Sequence, residues 1–128
     1  MTMTNSTFGP VRLQLDQGIA TFQLADTSGV NKVGPALVQG LSDALAALDG
    51  QDVAGIVLMS SNRDFCVGAD LDMLYGERDP AKILGLVQQM NQTLRALEKR
   101  APVVAVLAGS AIGGGYELAL AAHHRIAV

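Results

Sequence analysis

Cysteine occurs once in the 128 residues, tryptophan is absent, and aromatic side chains make up 4%. The lone thiol, Cys66, excludes an internal disulfide and fits a reducing compartment. With so few aromatics, the core must come from Leu, Val, Ile, Ala and Met. Basic runs are scarce too. The longest, Lys99-Arg100, falls at a predicted helix end, where cations meet the favourable end of the dipole. Without a basic stripe, nucleic acid is not an expected partner. The apolar run 101–108 is far shorter than a bilayer requires, so no membrane span is expected. The opening "MTMTNSTFGP" is polar and uncharged, unlike a secretory leader. These features point to a soluble, intracellular, cytoplasmic chain.

Apolar residues are plentiful by contrast, at 49%, with a mean hydropathy of +0.29 and a net charge of −3. The length suits one domain at most. The apolar content suits a core larger than a chain of this size closes by itself.

Along the chain, "VRLQL" (11–15) and "IATFQL" (19–24) alternate apolar and polar residues around Asp16-Gln17-Gly18, which predicts a hairpin with one buried face. Residues 26–35 read as loop. Pro35 suits a first helical position, and Leu37, Leu41, Leu45 and Leu48 share one helical face before Gly50. "VAGIVLMS" (53–60) is a continuous apolar run, expected of a strand covered on both faces. Residues 61–74 read as a loop turning at Gly68. Asp79-Pro80 forms an N-cap and first-turn pair, followed by a long amphipathic helix marked by Ile83, Val87, Met90, Leu94 and Leu97. A second buried strand is expected over 101–109, a helix over 115–122 and a further strand from 125. The alternation of strands and helices predicts an α/β fold.

The stretch "AGSAIGGGYELAL" (108–120) sets three glycines between a strand and a helix. It fails the dinucleotide fingerprint, because Leu118 stands where the third glycine belongs. It fails the P-loop pattern, because Gly115 stands where the lysine belongs. No nucleophile elbow frames Ser110. A weak phosphate signal remains beside a second reading, an oxyanion hole. A helix N-terminus offers free N–H groups, and glycine lets a carbonyl approach them. Such sites converge two donors. "FCVGAD" (65–70) follows strand 53–60 as the glycines follow the next strand, and loops at carboxyl ends of neighbouring strands share one crevice. Glu117, one turn into a helix of Leu and Ala, has two readings. It is a carboxylate whose apolar surroundings favour general acid/base work, or a first-turn acid steadying its own helix.

"DFCVGADLDML" together with "APVVAVLAGSAIGGGYELALAAHHRIAV" resembles the crotonase (enoyl-CoA hydratase/isomerase) superfamily, and "SGVNKVGPALVQGLSDAL" resembles its first loop and helix. The likeness is strongest to hydratase regions of multifunctional fatty-acid oxidation proteins. It runs through nearly all of the chain but covers about the first half of the family's core domain. The implied fold is crotonase-like, a truncated spiral of ββα repeats. The implied ligand is an acyl-CoA thioester whose carbonyl sits between the N–H groups of Val67 and Gly114. Glu117 would match one of two catalytic glutamates that add water to a 2-enoyl chain. Val30, Cys66, Gly68, Ala69, Asp70, Leu71 and Gly113 would line the CoA site. No cofactor is implied beyond the coenzyme A of the substrate. In the family, later elements cap the site and help form trimers, so a homo-oligomer of that type is expected of a full-length form, or a partner subunit for this chain.

The chain departs from the pattern in one respect that bears on chemistry. Its only glutamates are Glu77, Glu98 and Glu117, so the second catalytic glutamate is not among them. Isomerase and hydrolase chemistry of acyl-CoA stay open, as does a catalytically incomplete fragment. His123 and His124 lack companions at ligand spacing, and no metal site is expected. Cys66 lacks the framing of a nucleophile and reads as a small buried thiol.

Overall fold

A computed structural model describes residues 4–128. The chain forms one six-stranded sheet whose spatial order follows the sequence, β1-β2-β3-β4-β5-β6. The strands are β1 (Thr4–Phe8), β2 (Val11–Asp16), β3 (Ile19–Leu24), β4 (Gly55–Ser60), β5 (Val103–Leu107) and β6 (His124–Ala127). The helices are α1 (Pro35–Ala46), α2 (Leu71–Gly76), α3 (Pro80–Arg100) and α4 (Gly114–Leu120). The first three strands are antiparallel, and β3 to β6 run parallel.

The expected hairpin is present, with Asp16 opposite Ile19. Its two-residue turn, Gln17-Gly18, has positive φ at both positions, the twist that suits right-handed strands. Register then lines up one buried row across the sheet: Leu13 opposite Phe22, Phe22 opposite Leu58, and Leu58 opposite Ala105. Helices cover this face. Leu37, Leu41, Leu45 and Leu48 are all buried, as are Met90 and Leu97 of α3 and Leu118 of α4.

Two expectations need correction. Strand β4 is not covered on both faces, and neither is β5, whose Val104 and Val106 are half-exposed beside buried Val103 and Ala105. Ile56 and Leu58 are buried, but Val57 and Met59 on the other face are half-exposed, because no layer of the described residues lies over them. The apolar stripe of the long amphipathic helix is likewise covered only in its second half. Leu97 is 1% exposed whereas Val87 is 49% exposed.

The contacts that fix the helix ends are specific. Asp70 caps α2 by accepting from the Met73 N–H at 3.2 Å, and Asp79 caps α3 by accepting from Ala81 at 2.9 Å. The Arg100 guanidinium donates to the carbonyls of Leu48 and Gln51, both at 2.9 Å, tying the end of α3 to the end of α1. Among the described residues no helix is long and apolar enough to cross a membrane.

Candidate active site

Three loops meet beyond the carboxyl ends of β3, β4 and β5, and backbone pairing stitches them together. Segment 66–70 is the middle member. On one side Cys66 exchanges bonds with the third loop: its N–H donates to Ser110 O at 3.1 Å, and its carbonyl accepts from Ile112 at 3.0 Å. On the other side Val67 donates to Asn31 O at 3.0 Å, Val33 donates to Gly68 O at 2.7 Å, and Asp70 donates to Val33 O at 2.9 Å. The two isolated bridges, Val33 with Ala69 and Cys66 with Ala111, are both parallel.

This register decides which N–H groups are free. In a parallel bridge, Val33 bonds to the neighbours of Ala69, so the Ala69 N–H points away from it. Among the described residues the Ala69 N–H donates to no carbonyl, and neither does that of Gly114 at the first position of α4. The Val67 N–H, expected from the sequence to be a ligand donor, is instead committed to Asn31. The difference arises because the 31–33 loop pairs with this segment, a contact between residues more than thirty positions apart. Cys66 is also part of the scaffold. It is fully buried, and both of its backbone groups are used in the ladder.

The three glycines now separate by task. Gly113 has φ +54°, a region that L side chains rarely adopt, and it turns the chain into α4. Gly114 presents the N–H. Gly115 packs onto the neighbouring loop, and a Cβ there would stand 2.7 Å from the Cys66 carbonyl carbon. The helix start is thereby pressed against segment 66–70. A Cβ at Gly68 would in turn lie 2.9 Å from Ile112 O and 3.8 Å from the Gly114 nitrogen.

Ala69, Gly114 and Glu117 line one cavity of about 240 Å³, together with Val33, Met73, Leu74, Leu86, Val87, Met90 and Asn91. Its wall is mostly apolar. Glu117 is exposed at the cavity wall, while its helix neighbours Leu118 and Ala119 turn into the core. The apolar enclosure expected for it is absent among the described residues. A second hollow of about 300 Å³ adjoins the first through Ala69 and is lined by Lys32, Val67, Asp70, Leu71 and Asp72. Leu71 is exposed and Gly113 is exposed, while Val30, at 37% exposure, stands on the rim of the first loop.

Burial pushes the Cys66 thiol up from its ordinary value, with the Gly68 backbone N–H acting the other way. Asp26, at the start of the first loop, is held below the usual carboxylate range by bonds from Ser28, chiefly its backbone N–H at 2.9 Å. His123 serves the fold: its ring Nδ1 accepts from the buried Val103 N–H at 2.9 Å, and its backbone N–H donates to Val103 O at 2.9 Å. Among the described residues no three His, Cys, Asp or Glu side chains gather where a metal could sit.

The enoyl-CoA hydratase/isomerase profile matches residues 14–128, nearly the whole chain. The chain belongs to this family. Members similar to it include the peroxisomal bifunctional enzyme of Cavia porcellus, 35% identical over 90% of this chain but only 15% of that protein. The fatty acid oxidation complex subunit alpha of a Shewanella strain is 35% identical over 87% of this chain and 16% of its own length. Among solved structures, the enoyl-CoA hydratase from Thermoplasma volcanium superposes with a TM-score of 0.84 at 29% identity, over 93% of this chain and 48% of that one. This family member therefore spans about half of a solved hydratase and about one sixth of the multifunctional relatives.

Sequence reasoning found the two loops and Glu117 but passed over Asn31, Ser60, Asn62 and Asp64. Ser60 ends β4, Asn62 and Asp64 follow it, and Asn31 joins them from the loop between β3 and α1, so no local sequence signal marks the four as a group. For the cavity-lining residues of α2 and α3, the sequence pattern implies only a loop and an amphipathic stripe.

Proposed function

We propose that the chain binds an acyl-CoA thioester with its carbonyl oxygen between the N–H groups of Ala69 and Gly114, beside Glu117. The observation that carries this reading is that all three residues line one cavity with a largely apolar wall. Two preorganised donors aimed at one oxygen stabilise the enolate that forms when a nucleophile adds to a 2-enoyl thioester. The acyl chain would lie along Met73, Leu74, Leu86, Val87 and Met90. The nucleotide end would leave through the adjoining hollow at Lys32 and Leu71.

In this reading Glu117 works as the base. It accepts a proton from water while the water oxygen bonds to C3 of the enoyl chain. Electron density moves to the thioester oxygen at Ala69 and Gly114. C2 then takes the proton back from the Glu117 carboxyl, and a 3-hydroxyacyl thioester results. A second reading is that the site holds the thioester without turning it over. It is favoured by Glu117 being, among the described residues, the only glutamate that lines the cavity.

Incubation of the chain with a short 2-enoyl-CoA, following loss of the enoyl absorbance, separates the two. Hydration is expected, and Glu117→Gln is expected to lower it by about 10²–10⁴-fold. Binding without hydration, unaltered by Glu117→Gln, selects the second reading. Absence of both sinks the proposal.

A further inference from the structure

Asn31 is one of two polar residues buried among the described residues, at 2% exposure. It lies in the loop between β3 and α1, and its amide is fully engaged. Its Nδ2 donates to Ser60 Oγ at 2.8 Å, to Phe65 O at 3.0 Å and to Leu24 O at 3.4 Å. Its Oδ1 accepts from the Asp26 N–H and from Asn62 Nδ2, both at 3.0 Å. The backbone partners fix the orientation of this amide, since Phe65 offers only an acceptor there and Asp26 only a donor.

The same residue reaches segment 65–68 a second time. Its main-chain carbonyl accepts the Val67 N–H at 3.0 Å. Asn31 therefore grips Phe65 with its side chain and Val67 with its backbone. The intervening Cys66 is held from the opposite side by Ser110 and Ile112. Held on both edges, the segment has one direction in which to deliver Ala69, two residues on. A buried polar group costs stability unless every donor and acceptor is met, and here none is left without a partner.

We propose that Asn31 is a positioning residue that aims the Ala69 N–H at the thioester oxygen. The inference rests on the acyl-CoA reading above. An amide is required because the pocket asks for a donor toward Phe65 and Ser60 and an acceptor toward Asp26 and Asn62. Aspartate has the shape but only acceptors, so it would set an oxygen against the Phe65 carbonyl and push the segment away.

The test uses a saturated acyl-CoA labelled with carbon-13 at the thioester carbonyl, which binds without turnover. The carbonyl stretch is read by difference infrared spectroscopy, free and bound. Parent protein, Asn31→Asp, the milder Ser60→Ala and a remote core variant, Leu48→Ala, are compared, with thermal unfolding as the measure of folding. Leu48 is fully buried in the turn that follows α1. In the parent, binding is expected to lower the stretch. Asn31→Asp should lose about half or more of that shift, because one of two donors is misaimed. Ser60→Ala should lose a smaller part, and Leu48→Ala should unfold at lower temperature yet keep the full shift. The proposal falls if folded Asn31→Asp keeps the parent shift. If that variant does not fold, it falls if Ser60→Ala keeps the parent shift. Equal loss in Leu48→Ala also overturns it, since the effect would then follow stability alone. A parent that binds with no carbonyl shift refutes the oxyanion reading itself, a distinct failure that carries this inference with it.

Discussion

Gly115 shows how one missing side chain can hold a site together. Its Cα sits so close to segment 66–70 that an added Cβ would stand 2.8 Å from the Cys66 Cβ and closer still to its backbone. Backbone cannot swing aside as a flexible side chain can. Gly115→Ala should cost stability at or above the upper end of the roughly 1–3 kcal/mol usual for overpacking. It should also separate Gly114 from Ala69. Thermal unfolding and acyl-CoA binding by calorimetry check both halves, and a variant that binds as the parent does would contradict the described contact. Cys66 on the other side of this contact makes a pH prediction. Its folded pKa is raised by burial, so the stability tied to the neutral thiol is fully present below the unfolded value of 9.0 and is lost as pH rises through the folded one. Unfolding temperatures at about pH 8 and about pH 10 should fall further for the parent than for Cys66→Ala. An equal fall in the two proteins would show that the thiol is not protected. The glycine run was legible in the sequence because its residue types are unusual for their place. The free donor was not. Val67 and Ala69 differ only in which way the N–H points, and that depends on pairing with residues 31–33.

At the scale of elements, periodicity was a sound guide wherever one face of an element is buried. The hairpin and α1 follow it, and the start of α3 falls at the Asp79 cap. Strand β1 was not legible because "TNSTF" has no apolar alternation; it forms by pairing with β2, and all its described positions are exposed or half-exposed. Helix α2 was missed because it is six residues long with none buried, and its signal is the Asp70 cap alone. Helix α3 carries an apolar stripe from end to end but has two environments. On that stripe Leu97 is 1% exposed and Val87 is 49% exposed. Truncation should therefore separate them. Leu97→Ala is expected to cost about 2–5 kcal/mol, and Val87→Ala to stay within about 0.5 kcal/mol. Chemical denaturation of the two variants measures this, and equal costs would mean that the first half of α3 is covered after all.

The whole molecule has a sheet with two unlike faces. The first is closed by helices. On the second, Arg12, Gln14 and Thr21 give way to Val57, Met59, Val104 and Val106 as the sheet proceeds from β2 to β5. Val106 is paired with Ile126 of β6, which is 53% exposed. All four residues of β6 are exposed, and among the described residues no further strand lies beyond it. A strand edge with free N–H and C=O groups beside an apolar surface is a template for association. The sequence hinted at this through an apolar content high for its length, but only the register shows where the apolar surface lies. The isolated chain is expected to self-associate with rising concentration, seen as a growing sedimentation coefficient. Ile126→Lys places a charge on that edge and should restore a monomer. Its own cost should be within about 0.5 kcal/mol because the position is half open to water. Should the parent sediment as a monomer across the range, the apolar half of the second face is not sticky. Should Ile126→Lys associate as strongly as the parent, association runs through another surface, and the exposed stripe of α3 at Leu84 and Val87 becomes the place to put the next charge.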